Sequence, residues 1–230
     1  MTPSDDPLLE APRFGPASGT TRQLVILCHG VGADGHDLID LGSYWSHALP
    51  DAAFASPHGP EPYDMAPPGA GFGRQWFSIG NLDPATMGAG VRRARTALDR
   101  FVDAELARLG LPDDAYALMG FSQGAMTALF TGLRRATPPR AIIACSGALI
   151  DPASLPAELA GRPPVLLIHG EADPVVPVSR SRDAEAALRA CGVPVESLYV
   201  PKLAHGIDET GLSAGALFLQ RAFASAPTAP

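Results

Sequence analysis

The chain has 230 residues, 46% of them hydrophobic and 18% charged, which suits one domain with a substantial core. A formal net charge of −7 without a basic patch speaks against nucleic acid or an anionic membrane as partner, and no apolar run reaches membrane-spanning length. Three cysteines (Cys28, Cys145, Cys191) cannot all pair and lie outside metal-type spacings, so reduced thiols in a cytoplasmic protein are expected.

Residues 1–19, "MTPSDDPLLEAPRFGPASG", are acidic and proline-rich without the apolar stretch of a signal peptide. They read as a flexible arm ahead of a single domain over residues 20–225. From there short, nearly continuous apolar runs recur at residues 22–29, 51–57, 115–121, 140–147, 163–170 and 195–201. Such runs fit strands covered on both faces, as in a parallel sheet.

Between the runs lie five segments with apolar residues near helical spacing, beginning at Asp37, Pro84, Gln123, Ser179 and Ile207. Strand and helix alternate, which predicts a three-layer α/β sandwich with a mostly parallel central sheet and right-handed crossovers. Residues 57–83 break the pattern: they are rich in Pro and Gly yet carry Tyr63, Phe72, Trp76 and Phe77. A long irregular segment with four aromatics predicts one wall of a substrate groove, too short to form a separate cap domain.

Chemistry concentrates at the junction "YALMGFSQGAM", residues 116–126. Gly120-Phe121-Ser122-Gln123-Gly124 matches G-x-S-x-G, the sharp strand-to-helix turn that presents a serine hydroxyl above the sheet. A serine needs a base to take its proton, and that base needs an orienting acid. Among six histidines, His205 in "KLAHGID" lies after the last strand and before the last helix, which suits a triad in the chain order serine, acid, histidine. His29 and His169 each precede glycine at a strand end, where a structural hydrogen-bonding role is expected.

For the acid, "HGEADPVVP" offers Glu171 and Asp173, and Asp151 follows the preceding strand. Asp173 is preferred, because Pro174 and Pro177 restrain its loop and a short carboxylate meets an imidazole Nδ1 with less freedom. An oxyanion hole takes one N–H from the residue after the nucleophile, here Gln123, and another from the loop after an early strand. His29-Gly30-Val31-Gly32 is such a loop, with Val31 as the donor, each donor being worth about 10²- to 10³-fold in rate. No phosphate-binding GxxxxGK[ST] is present.

Taken in order, "LCHGVGADGHDL", "RQWFSIG", "GFSQGAM", "HGEADPVVP" and "AHGID" resemble the phospholipase/carboxylesterase branch of the α/β-hydrolase superfamily, which includes bacterial carboxylesterases and acyl-protein thioesterases. The resemblance spans about residues 20–222. It implies an α/β-hydrolase fold, a triad of Ser122, Asp173 and His205, and oxyanion N–H groups from Val31 and Gln123. It further implies hydrolysis of a small ester or thioester with neither metal nor cofactor and without stable membrane association. Monomer and homodimer both stay open.

Three departures from the family pattern bear on acyl preference: Ser78 in "WFS" where aspartate is frequent, Ala125 where a second glycine is frequent, and Ala204 before His205 where glycine is usual. A serine carboxylesterase for short to medium acyl chains is the leading expectation. An acyl-protein thioesterase or lysophospholipase is the alternative, and a catalytically silent ligand-binding α/β-hydrolase is the alternative of another class.

Overall fold

A computed structural model describes residues 10–67 and 73–225. The elements run β1 (Arg13–Phe14), β2 (Gln23–Cys28), α1 (Leu41–Trp45), β3 (Ala52–Ala55), β4 (Glu61–Pro62), β5 (Arg74–Gln75), α2 (Pro84–Leu109) and β6 (Tyr116–Phe121). They continue with α3 (Gln123–Gly132), β7 (Ile142–Cys145), α4 (Leu155–Glu158), β8 (Val165–Gly170), α5 (Ser179–Ala190), β9 (Val195–Val200) and α6 (Glu209–Ala224). The main sheet is ordered β1-β3-β2-β6-β7-β8-β9, with every pair parallel except β1 on β3.

Alternation along each strand builds the two outer layers. Leu24, Ile26 and Cys28 of β2 face one side with α2, α3, α4 and α5, while Val25 and Leu27 face the other with α1 and α6. Both faces are therefore dry, which explains why the strands read as unbroken apolar runs. Cys28 and Cys145 belong to this core; burial pushes the Cys28 thiol up strongly and that of Cys145 up to about 12. All three cysteines carry free thiols.

The long helix α2 has local start and stop signals. Asp83 accepts from the N–H groups of Ala85 and Thr86, Pro84 opens the first turn, and Gly110 closes the helix at φ 64°. Trp45 fastens the opposite layer by donating its indole N–H to the Leu212 carbonyl at 3.0 Å, joining α1 to α6.

The expected flexible arm needs correction within its described part. Arg13 and Phe14 pair antiparallel with Ala55 and Phe54, Ala11 is buried, and the Ser56 N–H donates to the Pro12 carbonyl. Arg13 also meets Glu105 of α2 at 2.6 Å. Burial by itself would raise the Glu105 carboxyl, but the guanidinium groups of Arg13 and Arg108 outweigh it and hold the pKa below the usual range. Covering the otherwise open edge of β3 and pairing a buried carboxylate are both long-range effects. A two-residue strand has no periodicity to announce them.

Candidate active site

The loop ends converge at the carboxyl edge of the sheet, where α/β folds place their reactive groups. Ser122 sits between β6 and α3 at φ 54°, a left-handed conformation that serine adopts only under constraint. A Cβ on Gly120 would strike the Gly124 carbonyl, and one on Gly124 would strike the Cys28 carbonyl of β2. Both glycines are thus required by close backbone approach, and the Ser122 hydroxyl is left free of any capping bond to α3.

His205 lies in the loop between β9 and α6. Its Nε2 is 3.0 Å from Ser122 Oγ, and its Nδ1 is 2.7 Å from Asp173 Oδ2. The loops bearing His205 and Asp173 are pinned together by Ala172 N–H on the Leu203 carbonyl and Glu171 N–H on the Val200 carbonyl. A Cβ on Gly170 would collide with the Leu203 carbonyl, so this approach also needs a glycine. The ring of Phe121, the residue before the serine, packs on the imidazole.

Of the three acids considered, Asp173 is the one that meets His205. Glu171 points outward to Arg182 at 2.8 Å. Asp151 is tied to Arg92 at 2.8 Å, in a cluster where Arg134 also binds Glu158 and stacks on Phe130. Asp173 Oδ1 accepts from the N–H groups of Val175 and Val176 at 2.8 and 2.9 Å. Burial would raise its carboxyl, but the bonds from His205 and these two amides keep it ionised below the usual carboxylate range.

The loop 29–33 lies against the elbow. A Cβ on Gly30 would be 3.5 Å from Ser122 Cβ. Within this loop the Gly32 N–H binds the Arg74 carbonyl and the Ala33 N–H binds the Gly30 carbonyl, while the Val31 N–H makes no hydrogen bond to another described residue. The Gln123 N–H belongs to the first turn of α3, which has no carbonyl partner within the helix. Neither the Val31 nor the Gln123 amide is thus taken up by a backbone carbonyl of the described residues.

His29 fixes the loop from beneath. Its Nδ1–H donates to the Gly30 carbonyl at 2.7 Å and its Nε2 accepts the Gly59 N–H at 2.8 Å. Burial lowers its pKa to about 4, so the ring stays neutral. The Gln123 side chain ties the elbow to the irregular segment, accepting from Trp76 N–H at 2.8 Å and donating to the Phe77 carbonyl at 2.6 Å. Sequence reasoning singled out Gln123 for its backbone and missed this side-chain clamp.

The aromatic wall requires correction. Trp76 and Phe77 are 0% exposed, the indole N–H bonding the His29 carbonyl and the Phe77 ring lying against Gly90 of α2. They anchor the segment to the core and leave no face for an acyl chain. Tyr63, half-buried, packs its ring beside Gly32, with Cε1 3.6 Å from where a Cβ would stand. Phe72 lies outside the described residues.

Ala125, one of the departures from the family pattern, points its Cβ toward Gly147, where a second Cβ would be 2.6 Å away. The Ser78 hydroxyl stands near enough to the Asp64 carboxylate to help hold its pKa below the usual range, so an aspartate there would oppose a like charge. Among the described residues, Asp34, His36 and His58 come near enough to share a cation. His36 Nδ1 already contacts Asp34 at 3.1 Å and His58 Nδ1 accepts the Gly35 N–H, so these donors serve the loop itself.

The phospholipase/carboxylesterase family profile matches residues 12–222. Esterase YpfH of Escherichia coli is 31% identical over 191 residues, covering 83% of this chain and 79% of its own. Acyl-protein thioesterase 1 of Neurospora crassa is 28% identical over 214 residues, covering 84% of each. The crystal structure of esterase PE8 superposes with a TM-score of 0.86 at 40% identity, covering 92% of this chain and 97% of that one. Motif order, sheet topology and these likenesses agree, and the chain belongs to the phospholipase/carboxylesterase family of the α/β-hydrolase superfamily.

Proposed function

We infer that the protein is a serine carboxylesterase that cleaves short to medium acyl esters through an acyl-enzyme intermediate. Membership of the family and the esterase relatives make it a carboxylic ester hydrolase. The observation that carries the mechanism is the chain of contacts Ser122 Oγ, His205 Nε2, His205 Nδ1 and Asp173 Oδ2, at 3.0 and 2.7 Å. His205 takes the Ser122 proton as Oγ attacks the carbonyl, and the Val31 and Gln123 N–H groups receive the charge that develops on the carbonyl oxygen. His205 then passes the proton to the leaving alcohol, and the cycle repeats with water attacking the acyl-enzyme.

The preference for short chains is supported by how little covers the sheet edge. The β4–β5 hairpin has two residues per strand, and no separate cap domain is evident among the described residues. Tyr63, whose ring lies beside Gly32 of the loop after β2, would be the contact for the first few carbons of an acyl chain. Three free thiols fit a reducing cytoplasm, and no helix among the described residues is long and apolar enough to cross a membrane.

A thioesterase activity is the second reading, favoured by the Neurospora crassa relative. A fluorophosphonate probe combined with esters and thioesters of C2 to C16 acyl chains tests both readings. Labelling confined to Ser122 and kcat/KM that levels off at medium length supports the esterase. Absence of Ser122 labelling refutes the mechanism, and a higher kcat/KM for long thioesters favours the second reading.

A further inference from the structure

Asp173 is held between two imidazoles. Its Oδ2 takes the His205 Nδ1–H at 2.7 Å and lies 3.2 Å from His169 Nε2, with the His169 and Asp173 side chains both 0% exposed. His169 stands near the end of β8, one residue before the glycine that lets the His205 loop close in.

The protonation of His169 follows from its neighbours. Nε2 faces the Val176 carbonyl at 2.8 Å as well as the carboxylate, and both are acceptors only, so Nε2 carries a proton and shares it between them. In a neutral ring Nδ1 is then an acceptor. Ser181 Oγ, buried on the first turn of α5, is 2.6 Å away and is the donor that fits. The Gly147 carbonyl, at 3.4 Å, is its weaker choice. A continuous line of contacts results: Ser122, His205, Asp173, His169, Ser181.

We propose that His169, with its tautomer fixed by Ser181, is a positioning residue of the hydrolytic site that orients Asp173 and shares the negative charge offered to His205. The proposal rests on the reading of Ser122, His205 and Asp173 given above. An ionised carboxylate has about four acceptor positions, and here four donors face it: two backbone amides on Oδ1 and two imidazoles on Oδ2. Without His169 the buried carboxylate loses a donor and gains a direction in which to pivot. The charge no longer drawn toward His169 falls on His205 and stabilises its protonated form. Among the described residues no other ionised group bonds to this line: Glu171, on the same loop, turns outward to Arg182, and His205 otherwise meets the Ser122 hydroxyl and the Phe121 ring.

The test uses purified His169→Leu, His169→Gln and Ser181→Ala proteins, with rates normalised to fluorophosphonate-reactive Ser122. His169→Leu is expected to lower kcat by at least tenfold, but less than the roughly 10⁴-fold that follows from disabling a triad acid, at little change in KM. The acid limb of its kcat/KM profile is expected to move to higher pH. His169→Gln retains an N–H donor and should recover much of kcat and the wild-type acid limb. Ser181→Ala should move the acid limb the same way by less.

A His169→Leu protein with wild-type kcat and acid limb overturns the proposal, as does a Gln variant no better than Leu. Should both His169 variants fail to fold, an unmoved acid limb in Ser181→Ala overturns it. Wild-type protein whose Ser122 resists the probe, or whose activity survives Asp173→Asn, refutes the underlying triad instead.

Discussion

The Phe121 ring lies against the His205 imidazole, with centroids 4.8 Å apart and planes at 45°. The same ring reaches the loop after β2, its Cδ1 standing 3.2 Å from where Gly30 would carry a Cβ. One side chain therefore braces both the His205 imidazole and the loop after β2. Phe121→Ala should lower kcat by about 10- to 100-fold through misplacement of these groups, with KM changing far less. Phe121→Leu should lose less. Steady-state kinetics with a single short ester suffices, and a wild-type kcat in Phe121→Ala would show that the contact does not position His205.

The acid assignment is tested by comparing three carboxylates. Asp173→Asn should cost about 10⁴-fold in kcat because the amide favours the wrong imidazole tautomer. Glu171→Gln breaks only an exposed pair with Arg182, an interaction worth about 0–1 kcal/mol, and should leave kcat close to wild type. Asp151→Asn loosens the Arg92 cluster and should affect stability before rate. A larger kcat loss from either of the last two would move the acid elsewhere.

Trp76→Ala should act on stability. A fully buried indole that also bonds the His29 carbonyl typically contributes about 3–5 kcal/mol over alanine. Urea denaturation should report that loss, whereas the acyl-chain profile of the protein that remains folded should keep its shape. Tyr63→Ala should do the opposite. A chain-length profile that changes with Trp76 and not with Tyr63 would restore the aromatic wall.

His29 makes folding pH-dependent. Burial lowers its pKa to about 4, against roughly 6.5 for an imidazole in an unfolded chain. The unfolded state therefore binds the proton first, so stability is complete above about pH 6.5 and is lost as pH falls toward 4, by about 3 kcal/mol in total. Carboxylates held low in the fold, such as Glu158 at about 2, lose their contribution mainly below that window. Urea melts at pH 7, 5.5 and 4.5 should show the slope. His29→Gln should be less stable at pH 7 and flatter between 7 and 4.5; an equal slope in both proteins would assign it to other groups.

Much of this architecture was legible in residue order because its causes are local. Strands covered on both faces must be apolar throughout, so β2, β3, β6, β7 and β8 stand where apolar runs stand, while the edge strand β9 keeps Glu196 and Ser197 exposed. The elbow was legible for a similar reason: Gly120 and Gly124 answer to backbone contacts that any residue with a Cβ would violate. His205 and Asp173 followed from their places after successive strands, since a sheet with its strands parallel gathers those loop ends at one edge.

What residue order left open depends on which distant surfaces meet. An aromatic in a Gly/Pro-rich segment looks the same whether it faces an acyl chain or the core, and packing against α2 and the Gln123 clamp turned Trp76 and Phe77 inward. Arg13 and Phe14 became an edge strand because β3 lacked a neighbour and Glu105, 92 residues away, needed a cation. His169 reads as one more histidine before a glycine. It became the second imidazole on Asp173 through the turn at Pro174 to Pro177, which brings the carboxylate back onto the end of its own strand, and through the approach of α5, which supplies Ser181. Short-range sterics and solvent exclusion leave a mark on the residues that obey them, whereas contacts made by chain segments meeting late in the sequence are set by the shape of the folded surface.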